Sequence, residues 1–314
     1  MKELLGNVPQ HFKHEIAILN SLSCDHHTHP HLITLLATYE SRGRFYLIFP
    51  CAEADLLGYW GRIKPSPPNN SDMAQWVAKQ CCGLAEGLSK IHRWETLSGT
   101  RLLHPDSEPP WKFNSPVVQS SKRDSAVPAP RQLYGRHGDI KPQNILWFDD
   151  GGYGTLKITD FGIAHFSSKD SVDAKSRRWV ANSPQYRAPE TDFPDLQLSP
   201  SWDIWTLGSV YLEFITWYFG GWKAVDQFAK DRLAKDPYYD DLIHTITFFT
   251  TYTDEESGER RAKVKEPVVN VSSFHHDAFQ ETLQAYADPA TTENSQPLRK
   301  AECQTIFSRL SSND

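Results

Sequence analysis

Residues 202–219, WDIWTLGSVYLEFITWYF, are apolar on nearly every side of a helical projection, and such a helix is stable in water only when other structure surrounds it. Ser199 and Pro200 supply a start signal and Gly220-Gly221 a stop, so one helix in the middle of a lobe is expected. It is too short to be a membrane span and, with Asp203 and Glu213 inside it, too charged. The chain must therefore supply apolar faces to cover it. With 314 residues, 39% hydrophobic and 12% aromatic, it can bury a substantial core, as one two-lobed domain or two modest ones.

The covering elements are legible as periodic segments. Phe12, Ile16 and Leu19 recur at helical spacing between His11 and Leu22, with Glu15 beside that face. Residues 32–39 and 44–49 are runs of strand formers separated by the turn signal ESRG, which predicts two antiparallel strands. After the loop KPSPPNNSD comes a helix from Met73 to His92. Its buried face is Met73, Val77, Cys81, Leu84, Leu88 and Ile91. Residues 93–133 are rich in Pro and Ser and lack periodicity over a length unusual for a connection, so a disordered insertion is expected there. ILWF, the turn DDGGYG and TLKI predict a short hairpin. Residues 222–236 read as an amphipathic helix, 245–271 as a hairpin with a charged tip, and Ala301–Leu310 as a last helix.

A net charge of −6 gives no reason to expect nucleic acid or a membrane surface as partner. The five cysteines are odd in number and irregularly spaced, which makes no disulfide framework and suits a reducing compartment. The first twenty residues lack an apolar h-region, so a cytoplasmic or nuclear location is expected. CDHHTHPH, residues 24–31, groups one Cys with four His, but the spacing does not match paired zinc ligands and a polar loop is the better reading.

The chemistry gathers in RHGDIKPQNILWF, residues 136–148. Asp139 and Asn144 stand five positions apart with Lys141 between them, the arrangement expected of a loop that delivers a hydroxyl to a phosphoryl group and holds magnesium. Phosphoryl transfer through a loose transition state needs positioning and charge neutralisation more than covalent chemistry. An Asp alone is most often a turn or cap residue. Further segments in order change that reading: Asp160-Phe161-Gly162, Ala188-Pro189-Glu190, and Asp203, Trp205 and Gly208 in the central helix.

Together these segments resemble the eukaryotic protein kinase-like superfamily, over nearly the whole chain. The resemblance implies an α+β, two-lobed protein kinase-like fold with an incomplete small β lobe and a mainly helical large lobe. Residues 1–50 would be the partial small lobe and 51–314 the large one. It implies a Ser/Thr protein kinase using ATP and Mg²⁺ on a protein hydroxyl. Asp139 would be the catalytic base, Lys141 a positive charge on the transferred group, and Asn144 and Asp160 the metal ligands. Lys2, set before a helix containing Glu15, resembles the lysine of the third strand, though Met1 leaves it no strand to sit on. In FYLIFPCAEADL, Ile48 would be the gatekeeper, the backbone of Phe49 and Cys51 would bond adenine, and Asp55 would reach the ribose. Glu190 would pair with Arg299, and Asp203 would anchor the catalytic-loop backbone.

The chain departs from the pattern in identifiable places. No G-x-G-x-x-G precedes Glu15, so the loop over the ATP phosphates is expected to be missing by N-terminal truncation, and a non-catalytic pseudokinase or scaffold is the alternative. Gly138 replaces the Arg that usually receives a phosphorylated activation loop, a non-RD feature. The triplet His137-Gly138-Asp139 also occurs in small-molecule phosphotransferases, a less favoured reading because Ala188-Pro189-Glu190 and the Asp203 helix are present. Residues 222–275, long and partly strand-like, are a possible protein-docking region.

Overall fold

The computed structural model describes residues 2–4, 15–16, 18–20, 22, 28–42, 44–95, 132–167, 183–193, 199–235 and 244–274. At one end, β1 (Lys2–Leu4), β2 (Ala37–Ser41) and β3 (Arg44–Ile48) form an antiparallel three-stranded sheet in the order β1-β3-β2. Lys2 stands opposite Leu47 and Leu4 opposite Phe45. The expectation that Lys2 has no strand is thus corrected: three residues suffice because β3 supplies the whole ladder.

The strand expected over 32–39 begins only at Ala37. Leu32 and Ile33 are buried, and their segment is tied elsewhere: Ile158 N–H donates to His31 O at 2.8 Å and Ile33 N–H to Ile158 O at 2.9 Å. Those bonds recruit it to the second sheet, made of β4 (Ala54–Asp55), β7 (Ile145–Phe148) and β8 (Thr155–Ile158). A third sheet joins β5 (Trp94–Glu95), β6 (Gln132–Arg136) and β9 (His165–Ser167). Trp94 opposite Leu133 gives the two margins of the expected insertion regular pairing, while residues 96–131 lie outside those described.

Helix α1 (Ser71–His92) starts where Asn70 accepts a hydrogen bond from Met73 N–H at 2.9 Å, and Asp72 adds an acidic group to the first turn. All six apolar positions expected to face the core are buried. Trp76 and Gln80 are buried too, because each finds a backbone partner on the β7–β8 hairpin. Trp76 Nε1–H donates to Gly154 O at 2.7 Å, and Gln80 Oε1 accepts from Leu156 N–H at 2.9 Å.

Helix α2 (Ser201–Asp231) is the central element: Trp202, Val210, Phe214, Trp217 and Phe228 are buried on several of its sides, while Ile204 is exposed. Its two expected halves meet at Gly221, whose φ of 68° breaks the helical geometry. Against it pack Tyr59, Trp60 and Trp76, with Trp76 edge-on to Phe214 at 5.6 Å between centroids. Among the described residues no helix is long and apolar enough to cross a membrane.

The charged hairpin is present as β10 (Phe249–Thr253) and β11 (Arg260–Val264). It stops earlier than expected. Residues 266–274 are helical, with Pro267 in the first turn where its missing N–H costs nothing, so VVNV is helix and not strand. The last helix expected at Ala301–Leu310 falls outside the described residues.

Gly154 closes the β7–β8 turn at φ 82°, where a Cβ would meet the Trp147 indole nitrogen and come within 2.5 Å of Phe148 O. Gly154→Ala is expected to destabilise the fold by about 2–4 kcal/mol, from strained backbone and overpacking together. A urea midpoint within error of the parent would show that this turn yields freely.

Candidate active site

The loop from His137 to Asn144 joins β6 to β7, and a buried carboxylate on α2 holds its entrance. Asp203 is fully buried; its Oδ2 accepts His137 N–H at 2.7 Å and its Oδ1 accepts Gly138 N–H at 2.8 Å. His92, at the end of α1, adds an Nε2 contact to Oδ2 at 3.0 Å. Burial alone would raise the Asp203 carboxyl, but the bond from His92, nearby positive charge and the Gly138 amide hold it below the ordinary carboxylate range. At Gly138 the backbone turns through φ 85°, a region costly for residues with a Cβ, so glycine fits this corner without strain.

His137 fixes the other side of the loop. Its Nδ1 accepts Asp139 N–H at 3.2 Å, so the ring proton sits on Nε2 and is donated to Thr159 O at 2.9 Å. The ring also meets Phe161 edge-on at 5.0 Å. Asn144 ties the loop's end to the same residue: its backbone carbonyl accepts Thr159 N–H at 2.9 Å. Asp139 and Asp160 are therefore carried on segments linked by two hydrogen bonds.

At Asp139 the two carboxylate oxygens have different surroundings. Oδ2 accepts Lys141 Nζ at 2.7 Å and Asn144 Nδ2 at 2.9 Å, and the same Nδ2 donates to Asp139 O at 2.8 Å. Oδ1 is buried with no hydrogen-bond partner among the described residues. Lys141 Nζ continues to Ser183 Oγ at 2.7 Å, so the loop touches the segment before Ala188. An unpartnered carboxylate oxygen beside a fixed cation is what accepting a proton next to a developing anion requires.

With its amide nitrogen used on Asp139, Asn144 has its carbonyl oxygen Oδ1 left to offer a cation. Asp160 adopts φ 67°, uncommon for a residue with a Cβ and the kind of local cost that surrounding structure sustains at functional sites. A Cβ at Gly162 would lie 3.3 Å from Asp160 Oδ1 and 3.7 Å from Glu15 Oε2, so glycine lets both carboxylates approach this turn. Glu15 is 3% exposed. These hard oxygen donors fit Mg²⁺, which binds through one or two protein ligands and keeps its other positions for water and phosphate.

The remaining expected positions are spread along the chain. Ile48 ends β3 and its carbonyl accepts Leu36 N–H at 2.9 Å; Phe49 packs against the core and Cys51 is exposed. Asp55 Oδ1 caps the short helix Leu56–Gly58 by accepting Gly58 N–H at 2.6 Å, a use the ribose reading did not foresee. Ala188-Pro189-Glu190 opens a tight turn, Pro189–Asp192, braced by Arg187 to both oxygens of Asp192 at 2.9 and 3.0 Å. Glu190 Oε2 is buried and unpartnered among the described residues, and Arg299 lies outside them.

Of the histidine-rich segment, His31 Nδ1 bonds Leu156 O at 2.8 Å, and His29 Nε2 lies 3.7 Å from Glu86. Sequence reasoning missed His92 as an Asp203 partner, and it missed the buried trio Tyr186, Glu213 and Arg232. A charged residue inside the all-apolar helix was the available signal for Glu213, since a charge there requires a partner.

Residues 135–238 match the family described as Protein kinase domain. The chain is 28% identical over 204 residues to human Cyclin-dependent kinase-like 4, covering 64% of this chain and 38% of that protein. It is 38% identical over 98 residues to Cyclin-dependent kinase F-3 of Oryza sativa subsp. japonica, covering 30% of this chain and 20% of the relative. With Serine/threonine-protein kinase chk-2 of Caenorhabditis elegans the identity is 43% over 81 residues, 26% of this chain and 15% of the other. The chain spans about two fifths of the length of the first relatives it matches, 38% and 43%. These likenesses support the eukaryotic protein kinase-like superfamily and the α+β fold that goes with it.

Proposed function

We propose that this protein kinase-like chain forms one kinase domain over residues 1–314, 1–50 the small lobe and 51–314 the large one, and transfers the γ-phosphate of ATP to a Ser or Thr hydroxyl of a protein. The observation that carries the reading is the division of labour at Asp139: Oδ2 is held by Lys141 and Asn144, and Oδ1 has no partner among the described residues. Asp139 would orient the acceptor hydroxyl and take its proton on Oδ1. Lys141, already within 2.7 Å of both Asp139 and Ser183, would place its charge beside the transferred phosphoryl oxygens.

Asn144 and Asp160 would hold Mg²⁺, which when bound neutralises the charge that builds on the phosphates. Lys2 and Glu15 would serve the nucleotide phosphates, the backbone of Phe49 and Cys51 its adenine, with Ile48 behind it and Asp55 toward the ribose. A Lys two residues after the Asp favours Ser or Thr as acceptor, and the Ala188-Pro189-Glu190 segment with the Asp203 helix disfavours a small molecule. A cytoplasmic or nuclear setting suits the cysteine usage.

The test is a purified chain given Mg²⁺, ATP and a generic Ser/Thr-rich protein acceptor, with thermal melting read in parallel. Transfer to Ser or Thr together with Mg·ATP-dependent stabilisation is expected. Asp160→Asn should weaken the Mg·ATP effect at least roughly tenfold. Absence of both effects would favour the non-catalytic alternative, and stabilisation without transfer would overturn the phosphotransfer reading while keeping nucleotide binding.

A further inference from the structure

Behind the Ser183–Asp192 segment lies a buried polar network that the phosphotransfer reading does not use. Tyr186 O–H donates to Glu213 Oε2 at 2.7 Å, and Arg232 Nη2 donates to Glu213 Oε1 at 2.7 Å. Arg232 is 1% exposed at the end of α2 and is stacked between two rings, with Phe228 and Phe248 centroids 3.9 and 4.0 Å from its guanidinium carbon. Its Nε–H donates to Ile246 O at 3.2 Å, and Lys265 Nζ donates to Arg232 O at 2.8 Å. An arginine so enclosed is fixed in one geometry.

The rings that hold Arg232 also reach the segment itself. Phe248 lies 5.9 Å from the Tyr186 ring, and its neighbour Phe249 lies under the Arg187 guanidinium at 5.2 Å and edge-on to Trp205 at 6.0 Å. Tyr186 is three residues from Ser183, whose hydroxyl meets Lys141, the partner of Asp139. A continuous line of contacts therefore runs from α2 to the proposed base.

We propose that Arg232 is a positioning residue for the acceptor side of the site: through Glu213 and Tyr186 it fixes residues 183–193, and with them the Ser183 hydroxyl that Lys141 contacts. Burial pushes the Glu213 carboxyl up and Arg232 pulls it down, so removing the guanidinium leaves a buried carboxyl without its counter-charge. The anchor for Tyr186 is then lost, and the segment loosens while the nucleotide side, built on other elements, does not.

The kinetic arm of the test rests on the proposed kinase activity, and the exchange arm does not. In Arg232→Met, amide hydrogen exchange at Arg187, Thr191 and Phe193 is expected to rise roughly tenfold or more, with the amides of α1 unchanged. The KM for a peptide acceptor should rise by a similar factor with the KM for ATP unaltered, and Arg232→Lys should recover part of both effects. If Arg232→Met does not fold, Tyr186→Phe, which deletes one oxygen, is expected to loosen the same amides to a smaller degree. Unchanged exchange at 187–193 in the folded variants would overturn the proposal, as would equal shifts in the two KM values. An inactive parent whose variants still show the local exchange increase would sink the kinase reading and leave the positioning role standing.

Discussion

Asp139→Asn is expected to lower kcat for phosphoryl transfer by roughly 10²–10⁴-fold while leaving the fold intact. The substitution is nearly isosteric, and its amide oxygen can occupy the Oδ2 position, where Lys141 and Asn144 donate at 2.7 and 2.9 Å. The amide nitrogen then takes the place of Oδ1, the buried oxygen with no partner among the described residues, and presents hydrogens where the acceptor hydroxyl needs a lone pair. Positioning therefore survives and proton acceptance does not. Mg·ATP-dependent stabilisation should match the parent, because the ligands assigned to the metal are Asn144 and Asp160. Asp139→Ala differs in one respect: it also frees Lys141 from the loop, so its loss should exceed that of Asn. Steady-state assays of both variants, beside thermal melts with and without Mg·ATP, check this. Asp139→Asn transferring phosphate at the parental rate would remove Asp139 from the role of base.

The same loop shows how far the sequence alone could carry the reading. Asp139, Lys141 and Asn144 lie within six residues, so their spacing already implied a shared site, and the structure brings all three within hydrogen-bond distance. The core face of α1 was legible for the same local reason: its period is written in consecutive turns. Lys2 illustrates the limit, since its strand depends on pairing with Leu47, forty-five positions away, and no local pattern announces that. The 32–36 segment misled because strand formers also suit a buried extended stretch: its start bonds Ile158, and only Leu36 reaches β3, at Ile48 O.

Arg232 and Lys265 were missed for a chemical reason. Charged residue types default to the surface, and only an apolar cage with a buried carboxylate or carbonyl groups makes burial tolerable. Glu213 offered the one clue, a charge set in an otherwise apolar helix. Asp203 offered the same clue and carried more information, because its neighbours Trp205 and Gly208 marked it as an anchor.

Asp203→Asn is accordingly expected to cost about 3–5 kcal/mol of folding stability near neutral pH. The carboxylate accepts two backbone N–H groups and meets His92, all in full burial, and an amide cannot accept on both sides. One of its edges would set N–H against N–H at His137 or Gly138. The pH dependence separates the charge from the shape. Because Asp203 in the fold lies below the ordinary carboxylate value of 3.8, the native state binds its proton more weakly than the unfolded chain does. Its contribution is therefore complete above that ordinary value and is lost as the pH falls through it and on through the lower folded value. Urea titrations followed by tryptophan fluorescence at pH 7 and at steps below pH 4 should show the parent losing this increment and Asp203→Asn lacking it, so that the two curves approach each other in acid. A gap between them that stays constant across the whole range would mean that the anchor works by shape alone, and that the negative charge at the head of α2 does not hold the catalytic loop.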